Sequence, residues 1–242
     1  MKLKTTLLAV LFAGFAFGQI QFPQVSSQAE IEQKIGFTEV EVKYYRPNLN
    51  NRTAFGGIVP YGQVWRTGAN NNTVIEFDTD VLVEGKALVK GKYSLYSVPN
   101  PKSWDVIFYK STENWGNPEK WDESQIALKV SVPSYTLADK VESFTIGFED
   151  VTVHNAKLAL SWENTKVNVK LDVPTHQKVL QNIQTQLNAN SSARDYYGAA
   201  NYYFNNKVDL KKAQEWINIA VSKDPNSKYF KDLKAKIDAA VK

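Results

Sequence analysis

The sequence of 242 residues contains no cysteine, one methionine, two histidines and four arginines. Lack of cysteine excludes disulfides, thiol nucleophiles, thiolate metal sites and lipid attachment through a thiol. Such a chain is held by its core alone. His154 and His176 do not stand at helix or hairpin spacing, so no histidine metal site is expected. No serine occupies a GxSxG elbow, and nucleophilic catalysis lacks its usual parts. No glycine-rich loop opens a helix, so a phosphate cradle and its cofactor are not expected either. Beyond the first residues no apolar run is long enough to span a bilayer.

What is present is ordinary for a globular protein: 43% hydrophobic, 22% charged, with a formal net charge of +4. The length suits one large domain or two small ones. Lys2 and Lys4 precede an apolar run from Leu7 to Phe17 and a small-residue site at Ala16-Phe17-Gly18. This predicts a signal peptide over 1–18, cut after Gly18, and an exported protein, periplasmic or secreted. The nine lysines after residue 206 are interleaved with acids on a helical pattern. That describes a solvated face, not a nucleic-acid site.

The most unusual stretch runs from Tyr44 to Thr73. It holds Arg46, Arg52 and Arg66, six asparagines, four glycines and no acidic residue. Guanidinium offers a rigid fork of donors for carboxylate or phosphate that ammonium cannot copy. One reading is structural: the arginines pair with carboxylates elsewhere and staple the loop to a sheet. The other is a binding site for a small polar or anionic ligand, such as a glycan. It would be formed by Arg46, Arg52, Tyr61, Trp65, Arg66, Thr67, Asn70 and Asn71. In either case Trp65 anchors the turn in the core, and Gly68 lets the chain turn.

Around this stretch the pattern is β. After a lead-in over 19–36, with a short helix over 29–34, period-two alternation begins at Phe37 and places Val40, Val42 and Tyr44 on one face. It returns over 75–81, where Asp78 and Asp80 share a face and are available to the arginines. Further strands are predicted over 87–89, 92–98, 104–109, 125–132, 142–149, 157–163 and 166–173. Short alternating strands without helical period argue for an antiparallel β-sandwich or jelly-roll-like domain over 37–174. Trp104, Trp115 and Trp121 read either as core or as exposed platforms for sugar rings.

At Pro174 the period changes to that of helices. Thr175 is placed to cap the first, with Val179, Leu180, Ile183 and Leu187 on its apolar face. Ser192 with Asp195, then Asp209, then Ser227 start three more. Residues 175–242 therefore form a short helical domain. Its middle pair resembles one tetratricopeptide repeat through Ala200, Phe204, Ala213, Ile217, Ala220 and Pro225, with Asn201 where a small residue is expected. Packing support for the sheet and a groove for a protein partner both fit that resemblance.

Arg46-Pro47, the run FGGIVPYGQVWRTGAN over 55–70 and GKYSLYSVP over 91–99 resemble an exported bacterial family, Domain of Unknown Function 2911, over about residues 37–173. The resemblance implies the β-domain and no established activity. Where that family often carries an acidic residue after GAN, this chain has Asn71. The expected function is therefore binding, with catalysis left open. The alternatives are a glycan-directed hydrolase using Asp and Glu, or a scaffold acting through the helices.

Overall fold

From Ser27 the side chains alternate between solvent and sheet, and the computed structural model forms strand β1 over Ser27–Ile35. The structure describes residues 22–241, so the expected leader lies outside the described residues. The short helix expected over 29–34 is thus replaced by a strand. Gly36, at a φ of 59°, turns β1 back on β2 (Thr38–Arg46), and the two pair along their whole length from Ser27↔Arg46 to Ile35↔Thr38. A strand zipped to a hairpin partner gains its ladder at once, and this outweighs a short local helical pattern.

The remaining strands are β3 (Thr73–Phe77), β4 (Val81–Val83), β5 (Lys86–Leu88), β6 (Gly91–Pro99), β7 (Ser103–Tyr109), β8 (Ile126–Glu149) and β9 (Asn155–Asp172). All pairings are antiparallel, in the order β1-β2-β3-β6-β7-β8-β9-β4-β5. The run read as one strand over 75–81 is broken after Phe77. β3 pairs with β2 and β6, whereas β4 pairs with β5 and β9.

The two longest strands merge pairs that the sequence suggested were separate. β8 pairs with β7 through Ser103↔Pro133 and with β9 from Ser134↔Val167 onward. It therefore leaves one layer and enters the other. The register shifts between Thr136 and Thr145 are taken up by extra residues of β8, opposite Glu163 of β9, which stands at a φ of 53° beside the Asn164-Thr165 pair that suggested a break. The layers also meet on the far side. Asn48 bridges Ser143, and the Phe144 amide donates to the Pro47 carbonyl at 2.9 Å. The Tyr44 hydroxyl donates to the Ile146 carbonyl and accepts from the Ile146 amide at 3.0 Å.

Between the layers lies an aromatic core. The Trp65 ring stacks on Trp162 at 5.8 Å and packs against Phe55, Trp104 and Phe144 at 5.9, 6.2 and 4.9 Å. Four helices follow: α1 (Thr175–Gln186), α2 (Ala193–Asn205), α3 (Leu210–Lys223) and α4 (Lys228–Val241). They build a separate core on Ala200, Ala213, Ile217, Ala220 and Ile237. Ser192 and Asp195 form a reciprocal cap on α2, and Asp209 accepts from the Lys212 amide on α3. Thr175 does not cap α1. Its hydroxyl donates instead to the Val153 carbonyl at 2.6 Å, tying the helix start to the loop after β8. No helix among the described residues is long and apolar enough to cross a membrane.

Candidate functional site

The loop between β2 and β3 carries most of the expected site residues, and the fold disperses them. The Arg46 guanidinium donates to the Phe144 carbonyl at 3.1 Å and the Thr145 hydroxyl at 2.8 Å. Arg52 donates to the Leu49 and Asn48 carbonyls at 2.9 and 3.0 Å, closing its own turn. Tyr61 is exposed beside Gly56. Trp65 is the centre of the core. Its indole N–H donates to the Gly68 carbonyl at 2.9 Å. Thr67 is fully buried against the Ser97 hydroxyl at 2.9 Å, and its carbonyl accepts from Thr73 at 2.7 Å. Asn70 donates to the Ser26 carbonyl at 3.3 Å.

Among the described residues no arginine forms an ion pair, which corrects the Arg–carboxylate staple. Carboxylates do hold this loop, but by its backbone. Glu142 accepts from the Asn50 amide at 2.8 Å and Glu163 from the Ala54 amide at 2.9 Å. Asp78 and Asp80 likewise face amides, those of Glu39 at 2.8 Å and Lys90 at 2.9 Å. A loop without acids leaves its N–H groups to be satisfied from outside, and carboxylates from β8 and β9 do so. The turn itself falls on Thr67 at a φ of 52°, with Gly68 needed for a different reason. A Cβ there would lie 2.9 Å from the Tyr45 carbonyl oxygen.

One open cleft of about 300 Å³ adjoins the end of this loop. It lies on the outer face of β1, β2, β3 and β6. Gln28, Lys43, Tyr45, Asn71, Lys92 and Asn114 supply its polar lining. Gln28 stands directly opposite Tyr45 in the β1–β2 ladder, so both reach the same face. Lys43 is bound to Glu30 and Glu41, which hold its ammonium above the usual lysine value. Lys92 pairs with Glu76 at 3.1 Å. By contrast, the side chains of Gln28, Tyr45 and Asn71 form no hydrogen bond with any described residue. The cleft thus presents two amides and a phenol that have no partner among the described residues.

The far wall is the segment over 111–117, fixed from below. Asn72 donates to the Ser94 hydroxyl at 2.6 Å and the Thr112 carbonyl at 3.2 Å. The Ser94 hydroxyl donates to the Ser111 carbonyl at 2.6 Å. Tyr96 donates to the Gly116 carbonyl at 3.1 Å, and burial pushes its phenol up. Of the tryptophans in question, Trp104 is core, Trp121 is half-buried against Tyr109, and Trp115 is 71% exposed. His154 is exposed. His176 is half-buried and hydrogen-bonded to the Tyr202 hydroxyl at 2.9 Å.

Of the expected site residues, Asn71 lines the cleft. Sequence reasoning missed Gln28, Tyr45, Lys43, Lys92 and Asn114. Reading β1 as a strand would have found Gln28, because hairpin pairing then sets it opposite Tyr45. A family model described as Protein of unknown function (DUF2911) matches residues 26–171 and ends before the helices. No curated protein and no solved structure matches the chain.

Proposed function

We propose that this chain, which belongs to the DUF2911 family, is an exported binding module for a small polar ligand of the sugar class. The observation that carries the reading is the set of unpartnered groups in one cleft: the Gln28 and Asn71 amides and the Tyr45 phenol. Amides and a phenol both donate and accept, which matches hydroxyl-rich ligands. Tyr45 adds a ring edge or face for an apolar patch of a pyranose. A glycosidase would need two facing carboxylates. Glu113 is the one acid among the described residues lining this cleft, which favours binding over hydrolysis.

The test is thermal-shift screening of the whole protein against neutral and charged mono- and oligosaccharides, followed by calorimetry of any hit. A hit at one hundred times its dissociation constant should stabilise by about 2.7 kcal/mol. Asn71→Ala and Gln28→Ala should each weaken it about tenfold with the unliganded midpoint unchanged. A hit that tolerates both substitutions would place the ligand elsewhere. Silence across the panel would remove the sugar reading.

A further inference from the structure

Trp115 belongs to the segment that walls the cleft and Arg66 packs beside it, and neither lines the cleft itself. Trp115 is 71% exposed, although the segment carrying it is tied down at Ser111, Thr112, Asn114, Gly116 and Asn117. An indole held outward on an anchored backbone keeps a large apolar face in water. Arg66 is half-buried, yet its guanidinium makes no hydrogen bond or ion pair with any described residue. It lies 5.8 Å from the Trp115 ring centre and against Gly116, where a Cβ would come within 2.5 Å of a guanidinium nitrogen. Arg46 and Arg52, from the same loop, are both hydrogen-bonded to carbonyls. Arg66 alone of the three keeps its fork of donors free.

We propose that Trp115 and Arg66 form a second subsite that takes an acidic sugar, a uronate ring, as the neighbour of the ring held in the cleft. This rests on the cleft reading above. Asn114 lines the cleft and Trp115 is the next residue, so the second subsite follows the first directly along the chain. The exposed face of Trp115 stacks on the ring. Arg66, beside the indole and against Gly116, offers the bidentate contact that a carboxylate takes and a hydroxymethyl group does not. Glu113, on the cleft side, opposes an anion and sets an upper limit on the preference.

The experiment is calorimetric titration of the whole protein with oligogalacturonate and oligoglucuronate, each beside its carboxyl-reduced, neutral form. Wild type should bind an acidic oligomer at least about tenfold more tightly than its neutral form. Arg66→Gln should bring that ratio close to one without weakening the neutral form, and Arg66→Lys should restore little of it. Trp115→Ala should weaken both forms about tenfold, and Glu113→Gln should raise the acidic preference. Thermal midpoints of the Arg66 variants should fall only slightly, because the indole contact is lost but no hydrogen bond to a described residue is. Equal binding of both forms by wild type, or an acidic preference that survives Arg66→Gln, would overturn the subsite. Either result would leave the cleft standing if Asn71→Ala still weakened the neutral oligomer. Binding of neither form would overturn the subsite, with the neutral panel then deciding the cleft.

Discussion

Arg46 and Arg66 have the same chemistry, lie in the same loop, and have opposite fates. Arg46 joins the loop to β8 through a carbonyl and a hydroxyl. Arg46→Ala should therefore cost about 1.5–3 kcal/mol, the range for hydrogen bonds from a charged donor. Arg66 has no such bonds to lose, and its contact with an exposed indole is worth about 0.5–1 kcal/mol. Urea unfolding of the two alanine variants checks the contrast, and a cost for Arg66→Ala above that for Arg46→Ala would reverse the assignment. Between them in sequence, Trp65 touches Phe55, Trp104, Phe144 and Trp162. Its replacement by alanine should cost about 3–5 kcal/mol on the same measurement. The sequence made Trp65 legible as an anchor, because a tryptophan among polar residues has few other uses. It could not separate the arginines, because Arg46 is decided by a strand 98 residues further on and Arg66 by the loop that carries Trp115 and Gly116.

Strands and helices were legible where the pattern was local. The alternation of β2 and the caps of α2 and α3 follow from neighbouring residues alone. Ser192→Ala, which removes the α2 cap, should cost about 1 kcal/mol and lower the helical circular dichroism. Misreadings arose where a partner decides. β1 owes its form to β2, and the break at Asp78–Asp80 reflects a change of layer that no local period records. The β7–β8 ladder also carries a titrating group. Burial acts to raise the Asp105 carboxyl, but the Ser131 hydroxyl and Lys129 ammonium outweigh it and hold the carboxyl below its usual value. A depressed folded pKa contributes stability that is present above the unfolded value, about 3.9, and is lost as pH falls through the folded value. Ser131→Ala should move the Asp105 titration upward in carboxyl NMR and bring acid unfolding to a higher pH. An unmoved titration would show that Lys129 suffices.

For the molecule as a whole, the β core and the helical core share no residue, and the Thr175–Val153 hydrogen bond is one of the ties between the two parts. Residues 19–174 expressed alone should give β-type circular dichroism and one cooperative melt. Aggregation of that fragment would mean that the helices shield the sheet. Within the β part, β8 belongs to both layers, and the seam at Asn48↔Ser143 joins residues 95 positions apart. This has a consequence for a protein made from its N-terminus. As the chain emerges from the ribosome, β1 and β2 can zip at once. The sandwich cannot close until β8, and then β9 with its link to β4, have left the tunnel. At about 5–20 residues per second, that leaves several seconds during which the aromatic residues of the loop wait without their partners. Trp65 and Phe55 are made early and Phe144 and Trp162 late, so the interval before closure is when this chain most needs a chaperone.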